Sequence, residues 1–532
     1  MVSESFAALT KHFSDQRLLL TKFAIAIVVF VIFISTSFHS VGGNSDGATV
    51  VLEGQSLAHG HLLLHGWILS QDSFWTVDAL FYGLFVLIFG IHGWLIHLVP
   101  ACIATMIVLL AWHLGTTRNG GSSKNIALVI VTLGLVFPVT AWAQFFLAGP
   151  YHLGTTLYCL AAFALVIRVQ RPIRYLCASL LLCAGILGDL QTLSLGVLPI
   201  AVAGIVAMLR TWNVRAGIGR ILVALSAGIL AFGIRKIAAA LGAFTFAPPR
   251  TPNNLSLSLS NVIPGLHYAA NMLGAGTGPF GTSPIPTALN FAHFAEVLLV
   301  ALSALFALFQ MFRGLAAQPP QDDDRHWELD DLLVIGVLGS LSTYAYLATT
   351  GSDAEARYLS AGLIFAVILC ARLFSRPYRL TSTLRRPLVG IGALLSLAIV
   401  AGGGYTIAET SPPQQIIALI ALLKSHHLSD GLGGYWSASI STVLSDNAIR
   451  VRPVITGPTG SIERYARQSL DVWYESPSTN FLVYNANVNV DAITRASARH
   501  TFGPAKDVYA VGPYRVLVYE HPIHVGVNGY AA

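Results

Sequence analysis

The chain has 532 residues, 54% of them hydrophobic and only 11% charged, where soluble proteins carry about 25% charged residues. That excludes a water-soluble globule, because the repeated apolar runs of about 18–22 residues have the length of membrane helices. The net charge of +6 does not point to nucleic acid, since most Lys and Arg stand in short loops beside apolar runs, where they set orientation.

The first apolar run, about 18–38, follows Lys11, Arg17 and Lys22 and lacks a small-residue cleavage site. It reads as an uncleaved anchor. The long loop after it, about 39–93, holds Asp46, Glu53, Asp72 and Asp78 and neither Lys nor Arg. Asp46 stands in Gly42-Gly43-Asn44-Ser45-Asp46-Gly47, where glycines let the chain turn off the helix end. It is either the N-cap of a helix from Gly47 to Ala58 or a carboxylate presented over the mouth of the bundle. Glu53 would share its helical face about 10 Å along the axis, and a solvated face is its plainer reading. Further on, His61 and His65 are spaced i, i+4, so on a helix they would share a face. No carboxylate sits where a zinc-protease motif needs one, so sugar contact or an interfacial position is expected. Trp67 and Trp75 offer flat faces to a sugar ring. Residues 74–90 are apolar but contain Asp78, and a span there would demand a tight uncharged turn. An amphipathic helix lying in the interface, anchored by Trp75 and Tyr82, is the expectation.

Ten further spans follow at about 94–115, 126–147, 153–169, 174–190, 193–210, 220–242, 291–312, 332–350, 358–375 and 387–408. Eighteen Lys and Arg, from Lys11 to Arg386, fall in the N-terminus and every second loop, against Arg250 and Arg357 in the loops between. This asymmetry predicts a cytoplasmic N-terminus and an external C-terminus. Arg235 and Lys236 fall inside the seventh span, where a charge costs about 2.5–3.5 kcal/mol on insertion scales and wants an anionic partner or a wet cavity. The same logic covers Asp189 and Glu296, although a hydrogen bond between helices accounts for each equally well. Arg357-Tyr358 opens the tenth span. Its guanidinium either snorkels to the headgroups or grips a lipid phosphate in bidentate fashion. The stretch Gly274–Gly281 follows no strand, so it reads as an outer loop and not as a phosphate cradle. Asp322–Asp324 read as a solvated loop. The five cysteines all lie in apolar runs, so neither disulfides nor a Cys metal site is expected.

From about residue 410 the composition changes to 9 Lys/Arg and 8 Asp/Glu with short alternating runs. Helices are predicted at Pro412–Leu428, Tyr435–Leu444, Ser461–Val472 and Asp491–His500. Strands are predicted at Arg450–Ile455, Asn480–Tyr484, Val508–Val511 and Tyr514–Glu520, with a turn at Gly512–Pro513. The expected fold class is an all-α polytopic membrane bundle of about eleven helices, residues 1–409, with a small α/β domain outside the membrane, residues 410–532.

The arrangement resembles the GT-C superfamily of membrane glycosyltransferases. Asp46 matches the place of that family's first-loop acid. Ala356-Arg357-Tyr358-Leu359 is similar to the Arg-Tyr step ahead of a late span. Gly188-Asp189-Leu190-Gln191 with Leu198-Pro199 resembles the short outer turn between two middle spans. His65-Gly66-Trp67-Ile68-Leu69-Ser70 with Phe74 and Asp78 is similar to a string in GT-C-like bacterial membrane proteins. The resemblance implies sugar transfer from a polyprenyl-phosphate carrier to a glycan, lipid or protein acceptor, in the bacterial cytoplasmic membrane. It implies Asp46 as general base with Glu53 as understudy, and donor-phosphate binding by Arg357, Tyr358, Arg235 and Lys236. Substrate contacts would fall to His61, His65, Trp67, Asp78 and Asp189. No metal ligand is assigned. The adjacent Asp-Glu pair of some members is absent, which leaves a divalent cation open. The competing classes are a carrier for lipid-linked glycans, which would favour midplane charges and a two-fold repeat, and a non-catalytic envelope scaffold. No repeat is visible in the sequence.

Overall fold

A computed structural model of the chain describes residues 2–117, 121–167, 171–249, 251–276, 287–316, 327–348, 353–376, 382–409, 414–475, 478–487 and 490–526. Arg250, most of the glycine-rich stretch after Ala275, and Asp322–Asp324 lie outside them. The fold is a helical membrane bundle with a small sheet in its C-terminal part.

The chain opens with α1 (Val2–Ser40) and a short helix, α2 (Ser45–Ala58). A three-residue strand, β1 (Trp67–Leu69), and α3 (Asp78–Phe89) complete the first loop. The bundle continues with α4 (Leu95–Gly115), α5 (Gly121–Val136), α6 (Thr140–Phe146), α7 (Leu153–Val166) and α8 (Pro172–Gly188). A π-turn at Leu193–Val197 leads into α9 (Leu198–Thr211), followed by α10 (Ile218–Ala240). Next come β2 (Thr245–Phe246), α11 (Leu255–Ser260) and α12 (Val262–Met272). The long helices α13 (Thr287–Ala316) and α14 (Trp327–Leu347) precede a 3₁₀ segment (Asp353–Leu359), α15 (Ser360–Phe374) and α16 (Ser382–Glu409).

Each of the eleven apolar segments read from the sequence coincides with helix. Six described helices are long and apolar enough to cross a membrane. The segment 126–147 is not one straight span: α5 and α6 meet at 89°. Pro138 lies between them; it has no N–H to continue the helical ladder and its ring clashes with the preceding turn.

The helix α3 has 12 residues, about 18 Å of rise, too short for a hydrocarbon core of about 30 Å. It turns Leu80, Leu84, Leu87 and Ile88 outward and packs Ala79, Tyr82 and Val86 inward. Tyr82 is therefore not the surface anchor expected of it; it is 1% exposed. The inner face lies on α2 at a glycine crossing, where a Cβ on Gly54 would meet the Gly83 nitrogen at 2.7 Å. That approach buries α2 almost throughout, with Val50 and Val51 fully covered.

The C-terminal part begins with α17 (Gln414–Ser425), then β3 (Asp430–Gly434), α18 (Tyr435–Leu444) and β4 (Arg450–Thr456). Short strands β5 (Ile462–Arg464) and β6 (Ser469–Leu470) follow, then β7 (Phe481–Asn485), α19 (Arg495–Phe502), β8 (Asp507–Val511) and β9 (Tyr514–Val518). The main sheet runs β5-β4-β3-β7-β9-β8, with β3 parallel to both β4 and β7. The helix expected at Ser461–Val472 does not form. Its residues pair instead, β5 on β4 and β6 on β1, and Arg464 in their middle is buried against Asp471 and Ser469. A second, three-stranded ribbon β2-β1-β6 joins the first loop, the loop after α10 and the tail. One continuous core unites α2, α4 and α7 with α17 and α18.

The first turn of α14 gathers the arginines of three neighbours. Arg210 pairs with Asp331 at 2.6 Å, Arg220 with Glu328 at 2.7 Å, and Arg372 with Asp330 at 2.6 Å, Arg376 closing on Asp330 as well. These arginines, counted above as orientation signals, also clamp one end of the bundle. Asp330 and Arg372 are both buried, and removing one partner of a buried pair costs about 3–5 kcal/mol. Asp330→Ala is expected to lower the unfolding temperature in detergent markedly, whereas Lys506→Ala, which breaks an exposed pair with Glu520 at 4.0 Å, leaves it unchanged. Equal effects from the two would refute the clamp.

Candidate active site

The site is built at the start of α2. Asn44, and not Asp46, caps this helix: its side chain accepts the Gly47 N–H at 2.9 Å and donates to the Tyr151 hydroxyl at 2.7 Å. The helix accordingly starts at Ser45, two residues before the predicted start, and the Asp46 carboxylate is left free for another partner. That partner comes from the tail. The Tyr435 hydroxyl donates to Asp46 Oδ1, and the Gln468 amide closes on the same hydroxyl. Tyr435 is the first residue of α18, which packs on α2 through Thr49 Oγ1 donating to Ser439 Oγ at 2.9 Å. Burial pushes the Tyr435 phenol well above its usual pKa, and Asp46 adds to that, so it stays a hydrogen-bond donor.

Arg357 stands in the 3₁₀ segment ahead of α15, within electrostatic range of this carboxylate. Asp46 interacts electrostatically with Arg357, and both act on Tyr151: burial raises its phenol, Asp46 raises it further and Arg357 offsets part of that. The guanidinium also meets Glu355 at 3.5 Å and lies 5.2 Å over the Tyr358 ring. The backbone here is pinned, because the Tyr358 carbonyl accepts from Gln191 Nε2 at 3.1 Å and Ser340 Oγ at 2.6 Å.

Beside Tyr358 lies a buried acid–imidazole cluster. His152, whose ring centroid is 5.2 Å from that of Tyr358, holds Asp189 Oδ2 through Nδ1 at 2.7 Å. Thr155 donates to the same oxygen, and the Gln191 N–H donates to Asp189 Oδ1 at 2.9 Å. His152 adopts the left-handed conformation (φ 65°) at the start of α7. Burial opposes charge on its ring, but Asp189 and Asp72 outweigh this and raise its pKa. Burial pushes Asp72 up to about 6, with Asp189 adding to the shift. Asp72, His152 and Asp189 each offer one donor atom, all within 4.8 Å of one another. Two carboxylate oxygens and an imidazole nitrogen suit a divalent cation of the zinc or manganese type.

Other predicted residues stand elsewhere. Glu53 is 1% exposed in the α2–α3 layer, where burial raises its pKa well above the usual range. It is no solvated helix face. Asp78 accepts the Gly154 N–H at 3.3 Å at the start of α7. Burial, only partly offset by that bond, pushes it up to about 7. Trp67 presents no face to a ligand: it is 1% exposed, donates to Ser56 Oγ at 3.1 Å and meets Trp473 edge-on at 5.0 Å. His61 and His65 are not on a helix, because positive φ at Gly60, Leu64 and Gly66 coils this stretch into turns. His65 instead bonds the Gly242 carbonyl at 2.6 Å. Arg235 stacks on Phe246 at 4.0 Å and Lys236 lies 5.5 Å over Phe232. No contact among the described residues ties either cation to Asp46, Asp189 or Arg357. Tyr435, Gln468, Tyr151, Asn44 and His152 were not singled out from the sequence. Asn44 was legible as a capping residue; the others carry no local pattern, because they meet Asp46 or Asp189 only through the tertiary fold.

Compared by sequence, the chain matches no protein-family model and no curated protein. Compared by structure, it has the GT-C fold, the one its sequence resembled. ArnT of Cupriavidus metallidurans in the apo state superposes with a TM-score of 0.57 at 11% identity, covering 95% of this chain and 98% of that one. The same ArnT bound to undecaprenyl phosphate gives 0.54 at 12% identity, covering 94% and 97%.

The raised pKa of Asp78 has a consequence for stability. The folded chain keeps a proton on Asp78 up to about pH 7, where an unfolded chain releases it near 3.9. Stability from this group is therefore complete below about pH 4 and is lost as the pH rises through 7. Asp78→Asn keeps the acceptor for Gly154 and removes the ionisation. Its unfolding temperature relative to wild type is expected to rise between pH 5.5 and 8.5; a constant difference would show that Asp78 holds no proton in the fold.

Proposed function

We propose that this protein is a membrane glycosyltransferase that moves a hexosyl or pentosyl group from a polyprenyl-phosphate carrier to an extracytoplasmic glycan, lipid or protein acceptor. The observation that carries this reading is the Asp46 carboxylate held by Tyr435 within electrostatic range of Arg357: one carboxylate able to take a proton and one guanidinium able to receive a phosphate. The likeness to ArnT, one of whose structures is bound to undecaprenyl phosphate, supports a lipid-phosphate donor.

The acceptor hydroxyl attacks the anomeric carbon while Asp46 takes its proton. The new carbon–oxygen bond forms as the bond to the carrier phosphate breaks, and that electron pair leaves on the phosphate oxygen. A phosphate departs without a proton donor, so one carboxylate serves where a glycosidase needs two. The transition state spreads positive charge over the sugar ring and negative charge over the leaving phosphate. Arg357 stabilises the latter through a bidentate contact. Single displacement inverts the anomeric centre. Tyr435 fixes the Asp46 rotamer. A divalent cation on Asp72, His152 and Asp189 would supply further positive charge beside Tyr358. The charge asymmetry of the loops supports a cytoplasmic N-terminus, with residues 410–532 as a domain outside a bacterial cytoplasmic membrane.

Release of free polyprenyl phosphate from a labelled donor, measured in reconstituted vesicles, tests the reading. Asp46→Asn is expected to slow release by about 10²–10⁴-fold, the usual share of a general base. Tyr435→Phe is expected to lower kcat about ten- to hundredfold, as loss of a hydrogen bond to a charged group does, with KM unchanged. Undiminished release by folded Asp46→Asn protein removes Asp46 from the mechanism.

A further inference from the structure

A cleft lies at the carboxyl ends of β3 and β7, lined by Gly434 and Asn485 from the strand ends, Trp436 from α18, and Tyr484, Asp491 and Tyr514. This is where the strand order reverses. The chain leaves β3 through α18 to reach β4 on one side, while β7 lies parallel on the other. In open sheets of this kind the switch point opens a crevice at the carboxyl ends of the strands, and ligands bind there.

The lining decides what fits. No Lys or Arg is among its residues, and the Asp491 carboxylate lies beside the turn from β3 into α18. That carboxylate sits so near the turn that a Cβ on Gly434 would meet its oxygen at 2.5 Å. An anionic ligand, phosphate above all, would be repelled where a helix N-terminus usually attracts one. A purely apolar ligand would leave the Asp491 carboxylate facing carbon. The lining fits a neutral polyhydroxylated molecule, whose hydroxyls pair with the Asp491 carboxylate while its C–H face lies on an aromatic ring. Trp436 is 47% exposed although Tyr435 before it is 3% exposed, so its ring is available at the rim. The cleft has a volume of only ≈ 40 Å³, so a sugar ring would rest on its rim against Trp436.

We propose that this cleft is a saccharide-binding subsite that holds the acceptor glycan. Its place as an acceptor site rests on the glycosyl-transfer reading above; its affinity for saccharide does not. The link to the reaction is one residue long: Trp436 follows Tyr435, whose hydroxyl holds Asp46.

The full-length protein in lipid nanodiscs, probed by saturation-transfer NMR with maltotriose, chitotriose, mannotriose and galactotriose, provides the test. At least one of the four is expected to bind. Trp436→Ala should weaken that binding at least tenfold, Trp436→Phe should restore most of it, and Asp46→Asn should leave it intact. Binding by none of the four, or binding unchanged in folded Trp436→Ala protein, overturns the proposal. Should Asp46→Asn retain transferase activity, the base assignment falls while the saccharide result still stands or falls by Trp436.

Discussion

The site depends on the burial of α2 between α3 and α18. A loop of some 55 residues between two membrane helices has no core of its own and could not hold a carboxylate at a fixed place. Here the glycine crossing of Gly54 on Gly83 lays α3 along one side, and the Thr49–Ser439 hydrogen bond marks the contact with α18 on another. At its N-terminus, Gly149 (φ 114°) approaches so closely that a Cβ there would meet the Gly47 Cα at 3.1 Å. Backbone this tightly packed leaves the Asp46 side chain little freedom, and Tyr435 removes what remains. Such preorganisation is what the proposed reaction would ask of its carboxylate.

Electrostatics follow from that packing. Charges at the site are few and each is answered: Asp46 by Tyr435 and Arg357, Asp189 by His152 and Thr155, Arg357 by Glu355. The distribution along the bundle is equally ordered. The acidic first turn of α14 collects the arginines of α9, α10 and α15, while the acids of the first loop find separate partners, Tyr435 for Asp46 and the Gly154 N–H for Asp78.

Much of the architecture was legible because the bilayer imposes it. Length and hydropathy located all eleven apolar helices, and the composition change near residue 410 announced a mixed α/β part. The errors have physical causes. Pro138 was swallowed by a continuous apolar run and broke a span. The central strand β3, Asp430-Gly431-Leu432-Gly433-Gly434, has almost no intrinsic β-propensity and forms because β4 and β7 flank it on both sides. Ser461–Val472 has helical periodicity but yields to edge pairing. At the site, Asp46, Arg357, Tyr358 and Asp189 were found through resemblance and charge placement, and the fold brings their surroundings together. The aromatic Trp67 and the paired histidines misled, because an aromatic or an i, i+4 spacing says nothing about exposure or about whether a helix exists. Tyr435 had no signal at all, since its partner lies 389 residues away.

The ribbon β2-β1-β6 joins Trp67–Leu69 to Thr245–Phe246 and Ser469–Leu470, three stretches separated by nearly the whole length of the chain. During synthesis the first of them emerges long before the last. The early loop has β2 to pair with once residue 246 is made, but its bracing by β6 waits until ribosomes have passed residue 470 and the tail has folded back onto it. A nascent or truncated polypeptide carries its acid without the tyrosine that steadies it. Completion of this fold is thus timed by its final segment.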